Sequence, residues 1–231
     1  MAKVSDYSYW NKWAVPIWYS KDSDYDDIRE GAITECLQFH TDNKNRTEVA
    51  HGIKNNLYES EFDFFQKARH KNYKSIGKVE EYIKNQFLFC FLDYFQNNYY
   101  PEGVSETMDG LEEKDININL RDSWVHISNG KGSWHGNHRH PMTSWGGIYY
   151  VKIDDVNPDN GGKNTISQPV DNQYIDFGNF FEHEYAVWSP PMDNGGCLFF
   201  PAHLSHNAQP YFGNGDRIVI ATNIIVSKND V

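Results

Sequence analysis

The stretch GSWHGNHRHPMTSWGGIYYVKI (132–153) joins a turn region rich in glycine and histidine to an apolar run, GGIYYVKI (146–153), that is typical of a buried β-strand. Similar runs lie on both sides of it, separated by clusters of Gly, Asn and Pro. They are ININL (116–120), SWVHI (123–127), GGCLFF (195–200) and RIVIATNIIV (217–226). Numerous short strands of this kind predict an antiparallel β-structure, a sandwich or a jelly roll, in the C-terminal half.

The N-terminal half has the periodicity of helices instead. Apolar residues recur at helical spacing over 23–40, and further helices are predicted at about 60–70 and 76–98. Before them, the apolar run AVPIWYS (14–20) is broken by Pro16, which favours an edge strand that opens the sheet. Helices followed by strands indicate an α+β domain in which helices pack on one face of a sheet. We expect a single domain over 1–231, with helical support at about 20–100 and a jelly-roll core at about 115–227.

Bulk properties exclude several classes of partner. The formal net charge of −11 opposes binding to nucleic acid, because phosphate contacts need clustered Lys and Arg. No apolar stretch approaches 18 residues, and no basic segment followed by an apolar run opens the chain, so we expect no membrane partner. Three scattered cysteines, Cys36, Cys90 and Cys197, predict a cytoplasmic protein without disulfides.

Histidines form the most informative pattern. In an extended chain, side chains at i and i+2 point to the same side, so His138 and His140 can present two imidazoles to one metal ion. A third ligand should come from a distant strand, and His206, which follows the strand and proline of GGCLFFPAHLSH (195–206), is the best placed candidate. Neutral imidazole suits iron, zinc, copper and nickel alike. A single histidine is more often a hydrogen-bonded structural residue, so the motif alone leaves that alternative open.

Arg217 is the one cation in GNGDRIVIATN (213–223), where Val219, Ala221 and Asn223 share its strand face. An arginine on an inward face is costly unless it meets an anion, and a guanidinium can grip a carboxylate through two hydrogen bonds. The alternative is that Arg217 faces solvent or pairs with a neighbouring acid.

H-x-H, then GIYYV, then FPAHLSH, then RIVIATN together resemble the 2-oxoglutarate and Fe(II)-dependent oxygenases, in the branch with an H-x-H…H metal motif and a core like that of prolyl hydroxylases. The resemblance covers about 120–226. It implies a double-stranded β-helix, a jelly roll with a cupin-like barrel, that uses Fe(II), 2-oxoglutarate and O2. Such an enzyme hydroxylates a C–H bond of its substrate and releases succinate and CO2.

Carried onto this chain, the resemblance implies iron ligands at His138, His140 and His206. It implies that Arg217 and Tyr150 bind the distal carboxylate of 2-oxoglutarate. Ser128, on the strand before the ligands, is a further candidate for contact with the co-substrate, as is His126.

Two departures distinguish this chain from most of the superfamily. His140 stands where the superfamily has Asp or Glu, which lowers the charge of the ligand set by one, and Val219 stands where many relatives have Ser or Thr. Two alternative interpretations of the sequence remain, namely a three-histidine cupin dioxygenase that uses no 2-oxoglutarate, and a non-enzymatic metal- or sugar-binding jelly roll. The cupin reading lacks the Glu expected after H-x-H and gives Arg217 no role.

The sequence says less about the substrate than about the metal site. Trp134, Asn137 and Trp145, with His135, are candidate substrate-pocket residues because they flank the predicted ligands. We expect a small-molecule or peptidyl substrate, and a homodimer is compatible with the sequence.

Overall fold

The structure is a computed structural model, and it describes residues 6–12, 15–22, 25–43, 57–97, 110, 112–169 and 187–229. Three α-helices are present in this part of the chain, α1 (Asp26–Asp42), α2 (Phe64–His70) and α3 (Lys74–Gln96), together with a short 3-10 helix (Glu113–Asp115). The strands are β1 (Asp6–Lys12), β2 (Val15–Lys21), β3 (Leu57–Glu59), β4 (Ile116–Ser128), β5 (Ser133–His138), β6 (Trp145–Lys152), β7 (Asn164–Ser167), β8 (Val187–Trp188), β9 (Cys197–Pro201), β10 (His206–Tyr211) and β11 (Arg217–Lys228).

Two antiparallel sheets contain all of these strands. The larger sheet has the order β1-β2-β9-β6-β11-β4-β3, and the smaller has the order β5-β10-β7-β8. From β4 to β11, successive strands lie in different sheets except for β7 and β8, which pair with each other in the smaller sheet. This is the arrangement of a jelly roll. The predicted α+β class with a jelly-roll core is confirmed.

Alternation along β6 separates two apolar cores. Tyr149 and Val151 face the helices, whereas Ile148 and Tyr150 face the interior of the barrel. Helix α3 covers the helical side of the sheet. Phe87 lies on the buried face of this helix and contacts Phe199 of β9 edge-on. The helices therefore stiffen the larger sheet from outside and leave its inner face to the site.

Trp145 belongs to the helical side of β6. Its ring stacks on Trp18 with 4.1 Å between centroids and meets Phe87 edge-on at 5.7 Å. The assignment of Trp145 to a substrate pocket is therefore corrected: it is a core residue on the face of β6 opposite the site.

Several strands differ from the sequence prediction. The run 14–20 forms a strand, but β1 pairs with its other edge over Asp6–Lys12, so β2 is not the edge of the sheet. Pro16 lies opposite Asn11 near one end of this strand pair. The two predicted runs 116–120 and 123–127 form one continuous strand, and the short strands β3, β5, β7, β8 and β10 were not predicted.

Among the described residues, no helix is long and apolar enough to cross a membrane.

Candidate metal and co-substrate site

Three histidines converge at one end of the barrel. His138 is the last residue of β5, His206 is the first residue of β10, and the two are direct partners in the smaller sheet. His140 follows two residues after β5. The ring centroids of His138 lie 4.2 Å from His206 and 5.1 Å from His140, and one ring nitrogen of each residue lies within 4.8 Å of the others. The predicted convergence is confirmed, and we call these residues the histidine triad.

Backbone carbonyl groups orient two members of the histidine triad. His138 Nδ1 lies 2.8 Å from the Gly136 oxygen, and His206 Nδ1 lies 3.0 Å from the Leu204 oxygen. A carbonyl oxygen only accepts, so Nδ1 carries the proton in both rings and Nε2 keeps a free lone pair. This is the tautomer that a metal-ligating histidine needs.

His140 is held differently. Both of its ring nitrogens are buried, and neither has a hydrogen-bond partner in the described part of the chain. Its neighbour Asn223 has a side-chain oxygen in the same condition, while the Asn223 amide nitrogen donates to Asp122 at 2.8 Å. The Asn223 side chain lies close to His140 and opposes the fall of the His140 pKa that burial causes. Occupation of one His140 nitrogen by a metal would leave the other to donate to Asn223.

The histidine triad is uncharged at neutral pH. Burial lowers the pKa of His138 to about 3 and that of His140 to about 4, and neighbouring histidines add to the effect at His138. The pKa of His206, which is 4% exposed, also lies well below its ordinary value because of burial. Three neutral, converging imidazoles form a ligand set that a divalent transition metal can occupy without displacing protons.

Arg217 lies in the same cavity as the histidine triad. It is 2% exposed, its Nε donates to the Gly162 oxygen at 2.7 Å, and one terminal nitrogen donates to Asn164 Oδ1 at 2.8 Å. Burial lowers its pKa to about 10, which leaves it charged at neutral pH. No carboxylate within the described ranges forms an ion pair with it. The strand face is as predicted, since Val219 and Ala221 line the cavity with Arg217.

Tyr150 faces the same barrel interior from β6. Its hydroxyl is buried and has no hydrogen-bond partner among the described residues. Burial raises the Tyr150 pKa, while the charge of Arg217 acts in the opposite direction. Tyr150 is not among the residues that line the cavity around Arg217. Ser128 is buried directly opposite Arg217 in the register of β4 and β11, although it does not line the cavity. The roles of both residues toward a co-substrate stay predictions.

Two pockets meet at the histidine triad. The inner cavity is narrow, with a volume of about 20 Å³, and it is lined by Arg217 and all three triad members. The outer pocket, with a volume of about 380 Å³, opens to solvent past His138 and His140. Asn137 is exposed at the rim of this pocket and accepts a hydrogen bond from Asn207. Its contact with a substrate stays a prediction. Trp134 is half-buried and lines neither of these two pockets, and its role toward a substrate stays a prediction.

A second cluster lies beside the histidine triad. Glu59 Oε2 is 2.5 Å from His126 Nε2 and 3.3 Å from His135 Nε2, and the His135 ring packs edge-on against His138 with centroids 4.2 Å apart. We call Glu59, His126 and His135 the glutamate cluster. The sequence suggested His126 as a co-substrate contact and His135 as a pocket residue, and the structure places them in the inner cavity and in both pockets, respectively. Glu59 was missed, since nothing in LYES (57–60) marks a functional acid.

Comparisons with known proteins point to one family. Residues 122–223 match the family model described as "Putative 2OG-Fe(II) oxygenase". No curated protein matches the sequence significantly.

Solved structures share the fold at low sequence identity. A prolyl hydroxylase from Trichoplax adhaerens, in complex with a peptide fragment of the hypoxia inducible factor oxygen degradation domain, has 11% identity and a TM-score of 0.56, over 95% of this chain and 83% of that one. AviO1 from Streptomyces viridochromogenes Tue57 has 13% identity and a TM-score of 0.53, over 90% and 89%. The non-heme alpha ketoglutarate dependent epimerase SnoN from nogalamycin biosynthesis has 10% identity and a TM-score of 0.51, over 92% and 79%.

The residues present fit the groups that this family uses, which are Fe(II), 2-oxoglutarate and O2. Neutral imidazole nitrogens with fixed tautomers suit Fe(II), and a buried guanidinium without an acidic partner among the described residues suits a dicarboxylate. The match over 122–223, the jelly roll and the histidine triad agree with one another. Residues 122–223 are therefore similar to the core of the 2OG-Fe(II) oxygenase family in sequence motif, fold and metal-ligand set.

Proposed function

We propose that this oxygenase hydroxylates a C–H bond of a small-molecule or peptidyl substrate, converting 2-oxoglutarate and O2 to succinate and CO2. One oxygen atom of O2 enters succinate and the other enters the new hydroxyl group, so the reaction balances without a further reductant. The observation that carries the proposal is the burial of Arg217 in the cavity of the histidine triad, without an acidic partner among the described residues.

The co-substrate end of the site is supplied by Arg217 and Tyr150. The Arg217 guanidinium is fixed by Gly162 and Asn164, so its remaining N–H groups are preorganised for a carboxylate. A second donor is available in the Tyr150 hydroxyl, which is buried without a partner among the described residues. Val219 stands where a relative could offer a hydroxyl, which leaves these two residues to bind the distal carboxylate.

The metal end would be supplied by the histidine triad. Fe(II) held by His138, His140 and His206 supplies the redox chemistry of O2 activation and oxidative decarboxylation. The protein orients the ligands through the Gly136 and Leu204 carbonyl groups.

The outer pocket is the substrate side in this proposal. Phe62 and Trp124 form an edge-to-face pair in its wall, with ring centroids 5.2 Å apart, and Asn137 lies at its rim. A peptide-bound prolyl hydroxylase and an epimerase both share the fold, so the fold is compatible with either substrate size. We also propose that the protein acts in the cytoplasm, which its buried thiols support.

Turnover of 2-oxoglutarate tests the proposal. Protein loaded with Fe(II) should consume O2 and form succinate only when 2-oxoglutarate is present. His138→Ala should lower succinate formation at least about 100-fold, because the two remaining histidines cannot supply the missing metal ligand. His203→Ala is the matched control, since His203 is exposed on the turn before β10 and should leave turnover unchanged.

Three results would contradict this function in different ways. Full succinate formation by iron-loaded His138→Ala would remove the ligand assignment. Consumption of O2 without 2-oxoglutarate would favour a three-histidine cupin dioxygenase. Tight metal binding with no consumption of either compound would favour a binding protein.

A further inference from the structure

Glu59 is a buried carboxylate in the wall of the outer pocket. It is 4% exposed and comes from β3, which is remote in sequence from the histidine triad. Two imidazoles, those of His126 and His135, direct their Nε2 atoms at the same carboxylate oxygen. Burial alone would raise the Glu59 pKa, but these two hydrogen bonds outweigh burial and hold the pKa below its ordinary value. The carboxylate is therefore ionised in the folded protein.

The spacing within the glutamate cluster is that of hydrogen bonds. Two ligands that bind one ion at about 2.1 Å and at right angles stand about 3 Å apart. The 2.5 Å between His126 Nε2 and Glu59 Oε2 is shorter than this and fits a charge-assisted hydrogen bond. The glutamate cluster is thus arranged to hold a negative charge, and a second metal ion would have to force its donors apart.

Charge counting gives this carboxylate a purpose. Imidazole binds a metal ion in its neutral form, so a bound Fe(II) would keep both of its positive charges, and the buried Arg217 adds a third. The two carboxylates of 2-oxoglutarate neutralise two of these charges and leave one. Buried charge is costly unless it is compensated nearby. Glu59 supplies the one negative charge that brings the loaded site to neutrality.

His135 and His126 connect this charge to the site. His135 stands between the Glu59 carboxylate and the His138 ring, which it contacts edge-on. His126 lines the inner cavity with Arg217, and its pKa is affected by both Glu59 and Arg217. The carboxylate is therefore separated from a metal ligand and from the co-substrate cavity by a single imidazole each.

We propose that Glu59 is the carboxylate that balances the charge of the three-histidine metal centre, acting from outside the ligand set through His135 and His126. It is a positioning residue rather than a ligand. The inference rests on the proposed function in one respect, namely that the histidine triad binds a divalent metal.

Metal affinity of the apo-protein tests this role without any turnover. Mn(II) binding is measured by titration without O2 and 2-oxoglutarate. Glu59→Gln keeps the size of the side chain but removes its charge, and we expect it to weaken Mn(II) binding by about 10- to 100-fold. The matched control is Glu61→Gln, which removes the same charge two residues away on the surface and should change affinity less than about twofold. Glu59→Asp, which keeps the charge, should recover most of the affinity.

If Glu59→Gln does not fold, the same titration is carried out on His135→Gln. His135 is more accessible than Glu59, and its replacement removes the imidazole between the carboxylate and His138, so we expect roughly fivefold weaker Mn(II) binding. Unchanged affinity in whichever of the two variants folds would overturn the proposal.

Stoichiometry separates this role from a second metal site. We expect one Mn(II) per chain in the wild-type protein and in Glu59→Gln. Two ions in the wild-type protein and one in Glu59→Gln would overturn the proposal and make Glu59 a ligand. Since these measurements involve no 2-oxoglutarate, a protein that binds Mn(II) with the expected Glu59 dependence but forms no succinate would refute the proposed function alone.

Discussion

The histidine triad and the glutamate cluster both contain histidines, but the two groups differ in the atoms that face the imidazole rings. In the histidine triad, backbone carbonyls take the Nδ1 protons of His138 and His206, and no acid lies within hydrogen-bonding distance of the three rings in the described structure. In the glutamate cluster, both imidazoles turn toward one carboxylate oxygen. The first group keeps its lone pairs for a cation, whereas the second has already satisfied its own charge.

The two groups therefore differ in the atom that faces each imidazole, since a carboxylate faces the Nε2 atoms of the glutamate cluster and none faces those of the histidine triad among the described residues. A histidine count over 126–140 does not separate the two groups, because His135 and His138 are only three residues apart and their rings touch. The identity of the atom opposite the ring separates them. A carbonyl fixes one tautomer and leaves a lone pair, and a carboxylate draws an N–H toward itself.

Acid should separate the two clusters most strongly. Burial lowers the pKa of each member of the histidine triad from 6.5, so the unfolded apo-protein takes up protons at a higher pH than the folded one. Stability is complete above pH 6.5 and falls as the pH drops toward 4. Between pH 7 and pH 5 we expect a loss of at most about 2 kcal/mol for each histidine. Urea unfolding of the apo-protein across this range measures it.

Glu59 should respond in a different pH window. Its pKa lies below the ordinary 4.5 in the folded state, so its stabilising effect is present above that pH and is lost only as the pH falls further. His206→Gln should remove about one proton from the uptake between pH 7 and pH 5, and His203→Gln, at an exposed position, should not. Stability that stays constant from pH 7 to pH 5 would show that the histidine triad is not held neutral by burial.

The co-substrate cavity provides the next test of the comparison, because Arg217 lacks there the acidic partner that the glutamate cluster has. Arg217→Lys keeps the positive charge but loses the fork geometry and the hydrogen bonds to Gly162 and Asn164. We expect N-oxalylglycine, an inert analogue of 2-oxoglutarate, to bind about 30-fold more weakly, or about 2 kcal/mol. Binding is measured with Mn(II) present at saturation.

Arg69→Lys is the control for this measurement. Arg69 is exposed and pairs with Glu80 on the surface, so its replacement should leave N-oxalylglycine binding unchanged. Retained Mn(II) affinity in Arg217→Lys would show that the metal site is intact. Equal N-oxalylglycine binding by wild-type protein and Arg217→Lys would exclude Arg217 as the carboxylate anchor.

Sequence periodicity predicted the architecture because the elements that build it are long and regular. The β6 run and the β11 run alternate between two cores, and α3 carries an apolar face over most of its length. The short strands β3, β7 and β8 have two to four residues, which is too few for a period to appear. Trp145 was misassigned because closeness in sequence to His140 does not reveal which face of a strand a side chain occupies.

The candidate site was predictable where its residues lie in one motif or one strand. His138 and His140 are two residues apart, and Arg217 shares a strand face with Val219. Glu59 could not be found in this way, since β3 reaches the site only by pairing with β4, in the register that sets Glu59 opposite His126. Long-range strand pairing is a property of the fold, and no local pattern records it.

The smallest expected effect concerns how His140 is held. The other two triad members donate to backbone carbonyls, which no substitution of the partner residue removes. His140 has no hydrogen-bond partner among the described residues and lies beside the side chain of Asn223, which Asp122 anchors, so we expect Asn223 to accept from His140 when a metal is bound. Asn223→Leu has nearly the same volume but no acceptor, so we expect Mn(II) binding to weaken by roughly 3- to 10-fold, or about 1 kcal/mol. Asn223→Asp restores an acceptor and adds a negative charge beside a neutral ligand set, so it should bind Mn(II) at least as tightly as the wild-type protein. The control is Asn117→Leu at an exposed position of β4, where the same chemical change should have no effect on affinity. If Asn223→Leu instead matched the wild-type protein, His140 would be oriented by packing alone, and the contrast between backbone-held and side-chain-held ligands would not extend to metal affinity.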